Sequence, residues 1–179
     1  LVMDPGYNEA NRAVIEHNAR LLGIPITVFE TEIFDAVYNI EKSPCYLCAR
    51  MRRGYLYSKA KELGCNKIAY AHHKDDVIDS FLMSMLYEGR IHTFSPVTHL
   101  EKSGVTLIRP LIYVLEGEIR AFARANDLPV CKNPCPADGV TKRQESKDII
   151  DELKVRVPDV KDRIFSSIEG AGIDGWSRH

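Results

Sequence analysis

The chain has 179 residues and a formal net charge of −1, so it is long enough for one domain with a hydrophobic core and has no overall positive charge to attract nucleic acid. Its hydrophobic fraction of 45% and charged fraction of 27% are typical of a soluble globular protein, and no apolar stretch is long enough to span a membrane. We therefore expect no membrane partner. The odd number of cysteines, five, indicates a reducing compartment such as the cytoplasm, where closely spaced cysteines bind metals more often than they form disulfides.

Segments with strand and helix patterns alternate along the chain. Apolar or β-branched runs predict strands at "LVMD", "PITVFE", "KIAYA" and "VTLIRPL". Helical periodicity predicts helices over "NEANRAVIEHNARLLG", "CARMRRGYLYSKAKELGC", "DDVIDSFLMSMLYEG", "LEGEIRAFARAND", "RQESKDIIDELK" and "VKDRIFSSI". This alternation predicts an α/β fold, an open doubly wound parallel sheet with helices on both faces. We expect "KIAYA" and "VTLIRPL" among its central strands, with "KIAYA" buried on both faces.

Two histidines and two aspartates follow the "KIAYA" strand directly, in the stretch "YAHHKDD" that opens the next helix. Asp75 or Asp76 could cap that helix by accepting a hydrogen bond from a free backbone N–H at its positive end. One aspartate is enough for a cap, and the other ionisable side chains exceed that role. Carboxylates are hard ligands that suit Mg²⁺, which usually arrives with the phosphates of a nucleotide. The stretch also lies at the carboxyl end of a strand, where such sheets bind ligands, so it is a candidate nucleotide and metal site.

A second candidate site lies in "CYLCARMRRG", where Cys45 and Cys48 have the spacing that lets two thiolates reach one metal ion or cluster. Arg50, Arg52 and Arg53 follow within two helical turns. Positive neighbours lower the pKa of a thiol, and they also suit the phosphates of RNA. The alternative is a solvated helix face beside two incidental cysteines.

A later pair, Cys131 and Cys135 in "VCKNPCP", strengthens the metal interpretation. Two cysteine pairs from distant loops can build a four-cysteine zinc site, or three of the four can hold a 4Fe–4S cluster. Spacing alone leaves both open. Cys65 follows Gly64 at a helix end, and we expect it to be a packing residue.

Arg109 ends the strand "VTLIRPL" at the ligand-binding edge of the predicted sheet. Its guanidinium could bind a phosphate or a carboxylate there. The alternative is a surface arginine that pairs with a helix acid such as Glu116.

The combination of "CYLCARMRRGYLYSKAKELGCNKIAYAHHKDD", "LIRPLIY" and the late cysteine pair resembles the tRNA 2-thiocytidine synthetase group of the PP-loop (N-type) ATP pyrophosphatase superfamily. The resemblance implies an open α/β sheet of the adenine-nucleotide hydrolase type and an ATP-dependent tRNA sulfurtransferase. ATP and Mg²⁺ would activate the C2 carbonyl of a cytidine in the tRNA anticodon loop by adenylation, and a sulfur donor would then displace AMP. A 4Fe–4S cluster held by three cysteines would carry the sulfur.

Matched residue by residue, the resemblance assigns Cys45 and Cys48 as cluster ligands. The third ligand comes from the late loop, where the family has CxxC and this chain has CxxxC, so Cys131 and Cys135 are both eligible. Cys135 is favoured, because the "PADG" turn after it would leave its thiolate facing a loop. Arg52, Arg53 and Gly54 match the arginine pair and glycine that follow the family's CxxC. Together with Arg50, these two arginines are the candidates for binding the tRNA.

The family's HHxDD motif assigns the nucleotide site to the start of the helix after "KIAYA". It gives catalytic roles to His73, Asp75 and Asp76, and nucleotide-binding roles to these three residues together with His72 and Arg109. Asn at either aspartate keeps the shape and much of the capping ability but removes the charge. We therefore expect each Asp→Asn change to reduce thiolation and to leave folding nearly unchanged.

One part of the family pattern is absent: the Ser-Gly-Gly-x-x-Ser phosphate loop after the first strand is nowhere in these residues. Because "LVMDPGYNEA" resembles the family's second strand and the start of its second helix, we expect the first strand and the loop to lie upstream. Residues 1–155 would then be a PP-loop domain without its N-terminal part, and residues 156–179 a C-terminal helical tail.

The resemblance implies tRNA and a sulfur donor such as a cysteine desulfurase as partners, and a homodimer stays open. The nearest alternative function is that of another tRNA thiolase, one that modifies uridine. The alternative from a different class is a zinc-stabilised RNA-binding module without catalysis. Such a module would not explain why the ionisable residues of the HHxDD motif are present.

Overall fold

In the computed structural model of the chain, the described residues are 2–4, 9–38, 44–131, 135 and 141–176. The chain forms two compact units, each discontinuous in sequence. The first consists of Leu1–Ile68, Glu101–Val105 and Ala123–Pro136, and the second of Ala69–Leu100, Thr106–Phe122 and Ala137–His179.

The first unit begins with a parallel β-α-β arrangement, in which Val2 of the first strand pairs with Val28 of the second. Two of its helices end just before a glycine with positive φ, Gly23 at 63° and Gly64 at 72°, a conformation that glycine adopts at little cost. Its elements are strand β1 (Val2–Asp4), helix α1 (Glu9–Leu21), strand β2 (Val28–Glu30), helix α2 (Ile33–Tyr38) and helix α3 (Pro44–Glu62).

Three further strands form a second sheet, with β5 between the other two. They are β3 (Lys67–Ala69), β4 (Val97–Leu100) and β5 (Val105–Ile108). Residues 101–104 are too short a connection for anything but a hairpin between β4 and β5, and His99 Nδ1 lies 3.0 Å from Thr106 Oγ1 across it. β3 lies at an edge of these three strands and buries only Ile68, so the expectation that it is buried on both faces was wrong.

The helices of the second unit supply most of its hydrophobic core, except the helix Glu116–Ala125, which has no buried residue. They are α4 (Lys74–Met83), which continues into a π-helical turn (Ser84–Glu88), then α5 (Glu116–Ala125), whose last turn belongs to the first unit, α6 (Lys142–Arg156), α7 (Val160–Gly170) and a 3₁₀ turn (Ile173–Gly175). The apolar stripe of α4, formed by Val77, Ile78 and Leu82, packs in one core with Phe165 and Ile168 of α7. This burial fixes α4, whose first turn carries the "KDD" of the motif.

The segments predicted as strands or helices from periodicity have those structures in the described residues, so the predicted α/β alternation is confirmed. The periodicity missed α2, with 6 residues, and β4, with 4, because such short elements contain too few positions for a period to show. Within the described part of the chain, no helix is both long and apolar enough to cross a lipid bilayer.

Candidate functional site

The "AHHKDD" motif lies in the loop after β3 and the first turn of α4. Lys74 N donates to Val114 O at 2.9 Å, which fixes the point where the helix begins. His73 precedes the helix in an extended conformation, and its N–H donates to Asp76 Oδ2 at 3.0 Å. Asp76 therefore supplies the N3 half of a capping box. The capping interpretation holds for Asp76 but not for Asp75.

Asp75 is buried and has hydrogen-bonding partners on both oxygens. Its Oδ2 accepts from Glu116 N, the first residue of α5, at 2.7 Å, and its Oδ1 accepts from Lys161 Nζ of α7 at 2.6 Å. Burial by itself would raise the pKa of Asp75, but the two donors outweigh it, so the pKa lies below the ordinary value. Asp75 is therefore an ionised carboxylate that ties the start of α4 to α5 and α7.

His73 lies between the two carboxylates of the motif. Its Nδ1 is 3.8 Å from Asp75 Oδ2, and its Nε2 is 3.4 Å from Asp76 Oδ2. The other oxygen of Asp76, Oδ1, accepts from Arg143 Nη1 of α6 at 3.0 Å. His73 Nδ1 is buried and makes no hydrogen bond to any described residue.

Asp79 lies one turn further along α4, on the same face as Asp75 and Asp76, and is only 1% exposed. Burial raises the pKa of Asp79 to about 6, although Lys147 and Arg143 oppose the shift. Its Oδ2 has no hydrogen-bonding partner among the described residues. The sequence analysis missed Asp79, and the available signal was an aspartate inside the apolar stripe "VIDSF".

The cations around this acidic helix turn come from α4 itself and from the two helices α6 and α7. Lys74 itself donates to Asp162 Oδ1 at 2.6 Å and lies 4.9 Å from the centre of the Phe165 ring. Lys147 Nζ lies 3.3 Å from Glu116 Oε2. Together with Arg143 and Lys161, these contacts bring positive and negative side chains of α4, α5, α6 and α7 to one place in the second unit.

Arg109 is 8% exposed and lies at the end of β5. Its Nη1 donates to Ser95 O and to Thr98 Oγ1, the latter at 3.2 Å, and its guanidinium lies 4.8 Å from the centre of the Phe94 ring. Its Nε lies 3.3 Å from His72 Nδ1, which links two of the predicted nucleotide-binding residues. The pKa of His72 is lowered, chiefly by burial.

The alternative for Arg109, a surface arginine paired with Glu116, is wrong because the chain buries the guanidinium against the loop before β4. Glu116 instead pairs with Arg120 and Lys147. Burial would raise the pKa of Glu116, but these two cations hold it below its ordinary value. Arg109 therefore contacts His72 and the loop before β4 rather than Glu116.

The cysteine residues predicted to bind metal lie in the first unit. Burial raises the pKa of the Cys48 thiol, Arg52 opposes that rise, and the Cys135 and Cys45 thiols add to it. The Cys45 thiol and the Cys135 thiol therefore each act electrostatically on Cys48. Cys131 Sγ instead donates to Asn11 O at 3.7 Å.

No three His, Cys, Asp or Glu side chains among the described residues lie close enough together to hold a metal ion, so the proposed ligand sets stay predictions. The "PADG" turn invoked for Cys135 lies outside the described residues. Cys65 is exposed, and the expectation that it packs in the interior was wrong.

The chemistry of both donor sets fits the groups that the sequence motifs imply. The thiols of Cys45, Cys48 and Cys135 are soft ligands of the kind that suits iron in a cluster. Asp75 and Asp76 are hard ligands that suit Mg²⁺, although each now contacts a protein cation. Two buried polar atoms without described partners, His73 Nδ1 and Asp79 Oδ2, mark the same helix turn as a place where a ligand could add hydrogen bonds.

Residues 7–145 match the family model of the PP-loop domain. Curated tRNA-cytidine(32) 2-sulfurtransferases also match. The protein from Syntrophotalea carbinolica is 33% identical over 171 residues, which cover 93% of this chain and 66% of the relative. The protein from Geobacter sulfurreducens is 34% identical over 173 residues, with coverages of 94% and 67%. The protein from Ralstonia pickettii is 34% identical over 168 residues, which cover 92% of this chain and 52% of the relative.

The chain thus spans between about half and about two thirds of the length of these relatives. Among solved structures, the U34-tRNA thiolase NcsA from Methanococcus maripaludis with its [4Fe-4S] cluster matches with a TM-score of 0.76 and 24% identity, over 94% of this chain and 59% of that one. At this identity the match establishes the fold, and it confirms the predicted α/β class. The chain therefore belongs to the PP-loop family, as its cysteine, arginine and HHxDD motifs predicted.

Proposed function

We propose that the protein is an ATP-dependent tRNA sulfurtransferase that replaces the C2 oxygen of a cytidine in the anticodon loop with sulfur. The names of the curated relatives support the reaction and the base. The observation that carries the proposal is the turn of α4 in which Asp75, Asp76 and His73 meet cations from α6 and α7. Phosphate chemistry needs this combination of metal-binding oxygens and phosphate-binding cations.

The residues of the motif would hold the nucleotide and its metal. Asp75 and Asp76 would bind Mg²⁺, while His72 and Arg109 would contact the nucleotide. Bound Mg²⁺–ATP supplies the AMP that makes the carbonyl oxygen a leaving group. His73, which has a buried ring nitrogen without a described partner, would hold a proton or a hydrogen bond at Nδ1 during that step.

The thiols would hold the sulfur-carrying group. Cys45 and Cys48 are two ligands of the proposed 4Fe–4S cluster, and Cys135 is the third, with Cys131 as the alternative. The electrostatic effect of Cys45 and Cys135 on Cys48 supports this choice, whereas Cys131 Sγ donates to Asn11 O. Such a cluster supplies an iron site at which sulfur can bind. A zinc ion on the same thiols is the alternative cofactor.

The remaining partners are proposed from charge and chemistry. Arg50, Arg52 and Arg53 are exposed on α3 and would contact the phosphates of tRNA. The sulfur itself must come from a donor such as a cysteine desulfurase.

The test is an anaerobic reaction of the intact, cluster-loaded protein with unmodified tRNA, ATP, Mg²⁺ and a sulfide source. We expect thiolated cytidine in the digested tRNA by mass spectrometry, and none when ATP is omitted. If the digest contains thiolated uridine instead, the modified base is uridine and not cytidine. A colourless protein that binds RNA, contains zinc and yields no thiolated nucleoside would contradict the catalytic function and favour a zinc-stabilised RNA-binding module.

A further inference from the structure

One face of α3 carries exposed aromatic and positive side chains together. Tyr46, Arg50 and Arg53 are separated by four and three residues, so they lie on the same side of the helix. Tyr46 is 65% exposed, and both arginines are exposed. A ring this exposed adds little to the core, and its faces are accessible to a partner outside the chain.

Arg52 differs from its two neighbours. It lies one turn after Cys48, and its charge lowers the pKa of that thiol against the effect of burial. Arg50 and Arg53 have no such effect on Cys48 and share the side of Tyr46. Arg53 Nε donates to Ala49 O at 3.3 Å within the helix, which uses only one of the five guanidinium donors. The run of arginines therefore divides into one that faces a thiol and two that face outward with the tyrosine.

Helix α3 carries a net positive charge, whereas the net charge of the whole chain is negative. The helix contains three arginines and two lysines but a single acid, Glu62, in a protein with a net charge of −1. Glu62 is occupied by Lys59, whose Nζ lies 2.8 Å from it, and does not neutralise the arginines. This local excess of positive charge is complementary to a phosphate backbone.

We infer that Tyr46, Arg50 and Arg53 form an RNA-binding stripe, in which Tyr46 stacks on an unpaired base and the two arginines contact the phosphates beside it. The inference rests on the proposed function. It names the residues that would bind an RNA loop in preference to an RNA duplex. Unpaired bases of RNA loops stack on tyrosine rings, whereas the bases of a duplex are not accessible to a side chain in this way. Seven residues of helix span roughly 10 Å, enough to contact more than one nucleotide.

The experiment measures binding of a labelled anticodon stem-loop RNA by fluorescence anisotropy across a series of salt concentrations. Loss of one stacked base costs about 1–3 kcal/mol, so we expect Tyr46→Ala to weaken binding by about 5- to 150-fold without changing the salt dependence. Tyr46→Phe should retain most of the affinity, because it keeps the ring. Arg50→Gln and Arg53→Gln should each lower the slope of log K against log salt by about 1.

Tyr55→Ala is the matched control. Tyr55 lies on the same helix and is 48% exposed, but it is nine residues from Tyr46 and so on the opposite side. We expect its loss to leave RNA binding unchanged. Because Tyr46 lies between two proposed ligands, binding is measured on cluster-loaded and cluster-free protein, and the visible spectrum of each loaded variant is compared with the wild type.

The outcomes separate the two proposals. Wild-type protein that binds a fully paired duplex RNA of the same length as tightly as the stem-loop overturns the stripe. Wild-type protein that binds no RNA overturns the proposed function as well. If the wild type binds the stem-loop and Tyr46→Ala binds equally well, or if Tyr55→Ala is equally impaired, only the stripe is wrong. The stripe is supported if Tyr46→Ala binds the stem-loop more weakly than the wild type in both the cluster-loaded and the cluster-free protein, and if its loaded form has the visible spectrum of the wild type.

Discussion

The start of α4 and the start of α3 both carry motif residues, but the fold maintains them to different degrees. At α4, Asp75 and Asp76 are buried or half-buried, and each is paired with a cation from a C-terminal helix. At α3, Cys45 and the arginines are exposed, and no described ion pair orients those arginines. The first site is built by packing and charge, so changes there should affect both stability and activity. The second should depend on the group it binds, so changes there should affect activity much more than folding.

The largest effect is expected at the thiols. Cys48→Ala and Cys135→Ala each remove a proposed ligand, so we expect loss of the iron absorbance and of thiolation by orders of magnitude. Cys131→Ala should retain both, because that thiol donates to Asn11 O. The exposed Cys65→Ala is the matched control, with wild-type iron content. The measurements are iron analysis and the visible spectrum after anaerobic purification. Loss of iron in Cys131→Ala but not in Cys135→Ala would reverse the assignment.

The aspartates should show the second largest effect and should differ from each other in stability. Asp75→Asn and Asp76→Asn are both expected to reduce ATP-dependent thiolation by orders of magnitude, since each removes the charge of a proposed metal ligand. Sequence reasoning expected both to fold as well as the wild type. The structure revises this for Asp75, whose Oδ1 accepts from Lys161 at 2.6 Å in a buried position. We expect Asp75→Asn to lose about 1–3 kcal/mol of unfolding free energy.

Asp76→Asn provides the comparison, because Arg143 is exposed enough to be solvated when the pair is lost. Its cost in a urea melt should be smaller than that of Asp75→Asn. Equal stability of the two variants would show that burial and the Lys161 contact do not distinguish the two carboxylates. Near-wild-type thiolation by both variants would remove the metal role and leave only the capping contact from His73.

Sequence reasoning located the motifs well but could not show what surrounds them. Periodicity is local, so it placed α4 directly after β3 and brought His72, His73, Asp75 and Asp76 to one helix end. The partners of those aspartates lie 67 and 86 residues further along the chain, and no local pattern marks Arg143 or Lys161 as their neighbours. These contacts exist because α6 and α7 pack on α4, which is a tertiary property.

The cysteines also show that a local sequence pattern does not determine which distant residues come together. The spacing of Cys45 and Cys48 on a helix follows from the sequence, whereas the choice between Cys131 and Cys135 depends on a loop whose path the spacing does not determine. The coupling of Cys135 to Cys48 favours one of them. Asp79 was missed because a single acidic residue within an apolar stripe does not change the helical periodicity, and the sequence does not show that its side chain is buried.

Asp79 gives the third prediction, a pH dependence of stability. Its pKa is raised from an ordinary value of 3.8 to about 6, so the unfolded chain ionises before the folded protein does. Stability is therefore lost as the pH rises from about 4 to about 6 and stays lower above that range. Asp79→Asn cannot ionise, and we expect it to be more stable than the wild type at pH 8 by up to about 3 kcal/mol. The difference should disappear near pH 4.

Urea melts of the wild type and of Asp79→Asn between pH 4 and pH 8 measure this directly. A variant that is less stable than the wild type at pH 8 would mean that Asp79 is ionised and held by the nearby cations, not destabilised by burial.

The smallest effect concerns two cations that share one acid. Lys147 and Arg120 both pair with Glu116, but Lys147 also lowers the pKa of the buried Asp79, whereas Arg120 is 69% exposed. We expect Arg120→Met to change stability by less than about 0.5 kcal/mol, as is usual for exposed pairs. Lys147→Met should cost about 1 kcal/mol at pH 8, because the pKa of Asp79 rises further and its ionisation becomes more costly.

A double-mutant cycle decides whether this extra cost comes from Asp79. In the Asp79→Asn background, Lys147→Met should cost about as much as Arg120→Met does, because the buried carboxylate is gone and only the partly exposed pair with Glu116 is lost. The measurement is the unfolding free energy of the four combinations at pH 8, repeated at pH 4, where Asp79 is protonated and the coupling should vanish. A coupling that persists at pH 4 would place the effect of Lys147 in its packing against α4 rather than in its charge. That result would also weaken the comparison with α3, since the α4 site would then be held more by packing than by the ion pairs that distinguish it.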